Sequence, residues 1–204
     1  MKRFGMACVL WAVAAWSAPA AELYTYAIQA CSPDVAERSG CDAADPDLAH
    51  WALEAWQRAA GPGLRFAPAD DEKAARLRIY WLGKRAQLYG DARATFTNGQ
   101  RGAAIEVHPD LTQFGAEIAA AGTHDKLFRD TVVYLTCLHE IGHGIGLEHT
   151  ASFADIMYSF QYGGDVLEYF SRYRRTLKAR PDIREHAGIS EADRKRVADL
   201  YAER

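Results

Sequence analysis

The stretch His139–His149 reads HEIGHGIGLEH and holds three of the chain's seven histidines, together with two glutamates and three glycines. Residues four apart on a helix stand on the same face, so His139 and His143 can present two imidazoles to one ion. Imidazole nitrogen is a common ligand of Zn²⁺, with bonds of about 2.0–2.1 Å. The spacing therefore predicts two ligands of a zinc site on a helix.

The rest of the stretch predicts the remainder of that site. Glu140 projects at a different angle from His139, which places its carboxylate beside the ion as a base and not as a ligand. Gly144 and Gly146 can adopt the left-handed backbone that ends a helix and turns the chain. His149 can then return as the third ligand. Three protein ligands and one open position are typical of catalytic zinc, whereas structural zinc usually has four protein ligands.

The segment that leads into this stretch is predicted to be a buried helix. Residues 126–144 are mostly apolar and contain no proline, a pattern that favours a buried helix. Cys137 lies within it and is expected to be a buried free thiol, because free cysteine behaves as a small hydrophobic residue. A fourth zinc ligand is the alternative interpretation of Cys137, although residues two apart on a helix point in different directions.

The first half of the chain predicts strands and one helix. Runs of branched, aromatic or alternating apolar residues predict strands at residues 23–28, 64–66, 76–82, 92–96 and 103–108. Asn98-Gly99 is a strong turn signal, so the last two strands are expected to form an antiparallel pair. Helical spacing begins at Asp45-Pro46 and stops at Gly61. The segment between the first strand and this helix is expected to be a loop.

The last third of the chain gives a weaker pattern. Residues 168–180, EYFSRYRRTLKAR, predict a solvated basic helix that ends at Pro181. Ser190 and Asp193 form a capping box that begins a final helix, whose apolar stripe contains Val197, Leu200 and Tyr201. Mixed strands and helices in this order favour an α/β sandwich around a twisted mixed sheet.

The N-terminus carries the features of an export signal. Residues 1–20 contain Lys2 and Arg3, an apolar run and the small residues Ala18-Pro19-Ala20, so cleavage is expected after Ala20. A membrane anchor is the alternative, but the apolar run is too short to span a bilayer. Cleavage removes two positive charges and changes the formal net charge from -3 to -5. This acidic balance gives no indication of a nucleic-acid partner.

The sequence resembles the metzincin metalloproteases and, within them, the matrixins. HEIGHGIGLEH is similar to the metzincin zinc signature HExxHxxGxxH, and Met157 is placed like the methionine of the metzincin turn beneath the zinc. The matrixin resemblance rests on the zinc helix, the methionine turn, the final helix and an edge strand, which are VVYLTCLHEIGHGIGLEHT (132–150), IMY (156–158), ISEADRKRVADLY (189–201) and YGDARATF (89–96). Matrixins usually have proline where this chain has Ser159, which leaves the shape of the main specificity pocket open.

The resemblance implies a twisted mixed five-stranded sheet packed on two long helices, with a C-terminal helical subdomain. It implies one catalytic domain at residues 21–204, with one catalytic Zn²⁺ held by His139, His143 and His149. Calcium is possible, but no motif supports it. No match to the matrixins' structural-zinc loop is found, so His108 and His124 are expected to be surface residues.

The implied activity is that of a secreted or periplasmic zinc endopeptidase. Glu140 would act as general base on a zinc-activated water, and the substrate would be a protein or peptide. The chain is expected to be a monomer that is not inserted in a membrane after signal cleavage. The alternatives are a metal-loaded peptide-binding module and a structural secreted domain, neither of which would catalyse hydrolysis. Cys31 and Cys41 are expected to form a disulfide, because an exported protein reaches a compartment where disulfides form.

Overall fold

A five-stranded mixed sheet forms the centre of the fold in the computed structural model, which describes residues 20–85 and 88–202. The strands are β1 (Glu22–Ile28), β2 (Leu64–Pro68), β3 (Leu77–Trp81), β4 (Gly90–Thr97) and β5 (Gln100–Val107). Their order is β2-β1-β3-β5-β4. The first four strands in that order run parallel to one another, and β4 runs antiparallel to β5 at the edge of the sheet. The predicted strands and the predicted mixed sheet are confirmed.

The hairpin between β4 and β5 follows from its two turn residues. Asn98 and Gly99 both have positive φ, at 52° and 76°. Two central residues with positive φ define the turn whose twist matches that of an antiparallel pair. This turn sets the register between β4 and β5. It leaves β4 at the edge of the sheet, where it faces the predicted zinc site.

Helices cover the sheet and continue the chain beyond it. They are α1 (Pro33–Ser39), α2 (Asp45–Ala60), α3 (Ala116–His124), α4 (Lys126–Gly144), α5 (Val166–Arg174), α6 (Asp182–Glu185) and α7 (Glu191–Ala202). The two long helices, α2 and α4, are confirmed at the predicted residues. In the described part of the chain, no helix is both long and apolar enough to cross a membrane.

Helices α2 and α4 pack on each other and on the sheet. Trp56 of α2 is fully buried and donates its indole N–H to the Leu138 carbonyl of α4 at 2.8 Å. At the end of α4, a Cβ on Gly144 would lie 3.0 Å from Leu77 and 3.3 Å from Ile105. Close packing of this kind fixes the last turn of α4 relative to the sheet.

The segment predicted as a loop after β1 contains the helix α1, so that prediction is wrong. The Ser32 hydroxyl accepts from the Val35 N–H, and proline occupies the first turn. Gly40 ends the helix with φ of 73°. These are ordinary start and stop signals of a helix, but seven residues are too few to give an apolar period.

A disulfide between Cys31 and Cys41 closes the chain across α1, as expected. The bridged residues are 10 apart in sequence, and a loop of this length loses chain entropy worth about 2–3 kcal/mol in the unfolded state. Cys137 is a free, fully buried cysteine, also as expected.

The surface position predicted for His108 is wrong. Only 3% of His108 is exposed, and its Nδ1 lies 2.6 Å from the Gly83 carbonyl oxygen. His108 directly follows β5, and the segment after β3 covers it, which is a contact that the sequence pattern does not encode. His124 is exposed at the end of α3, as predicted.

The predicted basic helix differs from the structure in its bounds and in its exposure. Helix α5 ends at Arg174, and its residues Tyr169, Phe170 and Tyr173 are buried. The face that these aromatic residues form packs on α4, so α5 is amphipathic and not simply solvated. Among the basic residues of this segment, Arg175 pairs with Glu168 at the surface, whereas Arg172 lies over the Tyr169 ring.

Candidate metal centre

The end of α4 and the turn after it bring the three predicted ligands together. His139 and His143 lie one helical turn apart on α4, and the helix ends at Gly144. Gly146 then has φ of 106°, a conformation that favours glycine, and the chain returns to His149. The prediction of a left-handed backbone is confirmed for Gly146 and wrong for Gly144, which remains helical.

The Nε2 atoms of the three histidines form a nearly equilateral triangle. The separations are 3.1 Å between His139 and His149, 3.1 Å between His139 and His143, and 3.0 Å between His143 and His149. Tetrahedral zinc bonds of about 2.0–2.1 Å require nitrogens roughly 3.3 Å apart. The three nitrogens are therefore spaced for a single ion, and these residues could hold one.

The hydrogen bonds of the other ring nitrogens support the same conclusion. His139 Nδ1 lies 2.7 Å from the Ile156 carbonyl oxygen, and His143 Nδ1 lies 2.8 Å from the Leu147 carbonyl oxygen. A carbonyl oxygen only accepts, so each Nδ1 carries the proton and each Nε2 presents a lone pair. Lone pairs turned toward one another cannot bond to each other, whereas a cation satisfies all of them.

Burial keeps the imidazoles in the form that binds metal. Burial lowers the pKa of His139 to about 3, with a further contribution from His143. Burial also lowers the pKa of His143 and that of His149. The rings are consequently neutral near pH 7, and a neutral imidazole is the ligand that zinc requires.

Met157 lies beneath the histidines, where the sequence places the methionine turn. Its side chain is fully buried, and a Cβ on Gly142 would lie 2.4 Å from its sulfur. Gly142 of α4 therefore allows the close approach. The Thr150 N–H donates to the Met157 carbonyl at 2.8 Å, which ties the residue after His149 to this turn.

Asp193 holds the same turn from α7, a role that the sequence analysis missed. The Asp193 N–H donates to the Ser190 hydroxyl at 3.0 Å, as the predicted helix cap requires. Its fully buried carboxylate also accepts from the Ile156 N–H at 2.6 Å. The two residues are 37 apart in sequence, so no local pattern could have indicated this contact.

Glu140 faces the first residue of β4. It is 7% exposed, and burial raises its pKa to about 8, with a smaller contribution from Asp91. A Cβ on Gly90 would lie 2.6 Å from Glu140 Cγ. The carboxyl group is thus confined between α4 and the sheet edge, and it lines the same cleft as the three histidines.

A cleft of about 670 Å³ opens over the three histidines and Glu140. Strand β4 and helix α4 form two of its sides. One end is aromatic and is lined by Tyr89, Tyr158, Phe160, Tyr169 and Phe170. Tyr169 and Phe170 come from α5, so the sequence analysis missed them when it described this segment as solvated.

The role of base that the sequence predicts for Glu140 implies that Gly90→Ala lowers kcat for peptide hydrolysis by about 10²-fold, because small displacements of a catalytic group are costly. The added Cβ would meet both Glu140 Cγ at 2.6 Å and Thr136 Cγ2 at 2.8 Å, so Glu140 must move. Zinc affinity should stay constant, since the three atoms nearest to the added Cβ belong to Glu140 and Thr136 and not to a histidine. Steady-state kinetics and zinc titration of the variant test both parts, and a wild-type kcat would show that Glu140 needs no fixed position.

Comparison with known protein families gives a match over most of the chain. The profile of the matrixin family matches residues 15–165 of the chain. It includes the three histidines, Glu140 and Met157, and it ends one residue before α5. None of the curated proteins compared with the chain matches it.

Proposed function

The chain belongs to the matrixin family of zinc-dependent endopeptidases, and from this premise we propose that it hydrolyses peptide bonds with Glu140 as general base. His139, His143 and His149 would hold the zinc ion. The observation that carries the proposal is the convergence of their three Nε2 atoms within 3.1 Å of one another. This arrangement leaves the cleft side open to water and substrate.

Bound Zn²⁺ supplies Lewis-acid chemistry, since it lowers the pKa of water from 15.7 to about 7 and polarises a carbonyl group. Glu140 accepts the proton that the attacking water loses as its oxygen bonds to the peptide carbon. Glu140 then delivers this proton to the amide nitrogen as the C–N bond breaks. The products are a carboxylic acid and an amine, and Glu140 returns to its starting form.

The raised pKa of Glu140 is consistent with this use of its carboxyl group. A group that both accepts and returns a proton works best when its pKa is near the working pH. Burial raises the pKa of Glu140 to about 8 in the chain alone, and a neighbouring cation would lower it. The same confinement between α4 and Gly90 keeps the carboxylate at one position.

An extended substrate would pair with the free edge of β4. The Ala103 N–H of β5 donates to the backbone carbonyl of Arg76, the residue before β3, at 2.8 Å. The N–H and C=O groups of successive residues in a strand point to opposite sides. Gly102 therefore faces β4, where its backbone groups bond to those of its partner Thr95. Ala94 therefore turns its N–H and C=O away from the sheet, and Ala94 lines the cleft.

Ala94→Pro is expected to lower kcat/KM for peptides by about 2–10-fold, the value of one backbone hydrogen bond. Proline removes an outward N–H without a loss of sheet bonding, and edge strands tolerate it there. Thr95→Pro should instead destabilise the fold, because that N–H is used within the sheet. Peptide kinetics with thermal unfolding as a companion measurement separate these effects. Unchanged kcat/KM in the Ala94 variant would exclude pairing at this residue.

The aromatic end of the cleft would select the substrate. Rings of Phe160 and Phe170 lie 6.2 Å apart between centroids, and Tyr89 lies 5.3 Å from Phe170. Apolar walls of this kind favour a large apolar side chain, because its burial contributes about 1.5–3 kcal/mol. We propose that such a residue of the substrate occupies this end.

We also propose that the protein is exported and acts as a monomer in the periplasm or outside the cell. The proposed export rests on the signal-peptide pattern of residues 1–20, of which residues 1–19 lie outside the described part. The catalytic domain would then comprise residues 21–204.

Digestion of an unbiased peptide library by the purified mature chain, with and without a chelator, tests the proposed function. The expected result is cleavage that requires zinc and that places large apolar residues near the cleaved bond. A zinc-loaded chain that cleaves no peptide would favour the binding or structural alternatives.

A further inference from the structure

One backbone carbonyl connects the candidate metal centre to α5, a helix that lies beyond the matrixin match. The Ile156 carbonyl oxygen accepts from His139 Nδ1 at 2.7 Å. The same oxygen lies 3.2 Å from the Tyr169 hydroxyl, which also donates to the Asp155 carbonyl at 2.9 Å. A ligand of the site and a tyrosine of α5 thus share one acceptor.

The ring of Tyr169 is held from several directions. It is 4% exposed, and the Arg172 guanidinium lies 4.4 Å above its centroid. The rings of Phe160 and Phe153 meet it edge-on, at centroid distances of 5.1 Å and 5.5 Å. Since the ring cannot move freely, its hydroxyl occupies a fixed position relative to the turn.

The hydroxyl is able to act only as a donor toward this turn. Both of its partners are carbonyl oxygens, and carbonyl oxygens accept. Burial raises the pKa of Tyr169 above its ordinary value of 10.0, so the proton remains on the oxygen near pH 7. The single hydroxyl proton is shared between the carbonyls of Asp155 and Ile156, with the shorter contact to Asp155, and the hydroxyl thereby holds these two consecutive carbonyls in one orientation.

Asp193 restrains the same residue on its other side. Its carboxylate accepts the Ile156 N–H at 2.6 Å. Ile156 is consequently fixed through its N–H by α7 and through its carbonyl by α5. The direction of that carbonyl determines where the His139 imidazole can point, because the hydrogen bond from Nδ1 sets the ring orientation.

We propose that Tyr169 is a positioning residue of the metal centre, which holds the Ile156 carbonyl and thereby aims His139 Nε2 at the ion. The proposal rests on the proposed function, since it requires that the three histidines bind zinc. Segment 166–174 then has a role in metal binding beyond its packing on α4. A group that hydrogen-bonds a ligating histidine directly, here the Ile156 carbonyl, typically contributes about 10–100-fold to metal affinity, and Tyr169 acts through that group.

Tyr169→Phe tests the proposal, with Tyr173→Phe as the matched control. Tyr173 is on the same helix and is similarly buried, but its hydroxyl donates to the His186 and Ile183 carbonyls and to none of the groups that position the three metal-ligand histidines. Zinc affinity is measured by chelator competition without substrate, and apo-protein thermal unfolding is measured alongside. The expected result is about 10-fold weaker zinc binding in Tyr169→Phe, the lower end of the range for a direct partner of a ligand, and wild-type zinc affinity in Tyr173→Phe.

Two results would overturn the proposal. Zinc affinity of Tyr169→Phe within about twofold of wild type would show that the hydroxyl supports only the fold. Equal losses of zinc affinity in both variants would show a general loosening of α5. Failure of the wild-type chain itself to bind zinc would instead refute the proposed function. The absorption spectrum of Co²⁺ at the site gives a second readout, which should change in Tyr169→Phe and stay constant in Tyr173→Phe.

Discussion

Glu140→Gln should lower kcat for peptide hydrolysis by about 10²–10⁴-fold, the usual contribution of a general base, and leave one zinc ion bound. Glutamine has almost the same shape as glutamate, so the packing against Gly90 is preserved. Its amide cannot accept the proton of the attacking water at neutral pH. The three histidines are unchanged, and zinc affinity should therefore remain close to that of the wild type.

The comparison that isolates this effect is Glu148→Gln. Glu148 belongs to the same eleven-residue stretch but is exposed, so the same chemical change there should leave kcat near the wild-type value. Peptide kinetics and metal analysis of the three proteins give the result. Retained activity in Glu140→Gln would assign the proton transfers to another group, and loss of zinc would mean that Glu140 supports the metal site.

His143→Ala should abolish the thermal stabilisation that zinc gives to the wild-type chain. A ligand that binds only the folded state stabilises it by about 2.7 kcal/mol at a concentration 100 times its Kd. Removal of one of three ligands should weaken zinc by more than the about 10–100-fold that loss of an outer partner costs. The Tm without zinc should change little. The variant removes a neutral ring whose Nε2 lone pair lies only 3.0–3.1 Å from the Nε2 atoms of His139 and His149, a close approach that does not stabilise the metal-free chain.

His124→Ala is the control for this prediction, since His124 is exposed at the end of α3. Differential scanning of each protein with and without zinc gives the shift in Tm. The wild type and His124→Ala should show the same shift, and His143→Ala should show none. An undiminished shift in His143→Ala would place the zinc elsewhere on the chain.

The sequence predicted the elements whose signals are local and repeated. Helices α2 and α4 are long enough for the apolar period to appear several times, and both were located at the residues that the structure shows. The turn at Asn98-Gly99 likewise requires only two residues with positive φ. The position of the histidines follows from the helix period and from the turn at Gly146.

Short elements and distant contacts could not be predicted in the same way. Helix α1 has a serine cap and a terminal glycine, but its seven residues do not establish a period. His108 is buried because a segment about 25 residues earlier in the chain covers it. Tyr169 and Asp193 reach the methionine turn only after α5 and α7 have packed, so their contribution depends on the tertiary structure.

The most direct test of the account is a titration of the metal-free chain with zinc while peptide hydrolysis is measured. Because three imidazoles hold one catalytic ion in this account, activity should rise in proportion to added zinc and reach a plateau at one equivalent. Hydrolysis that is independent of zinc, or a chain that binds one equivalent and cleaves no peptide, would contradict the account.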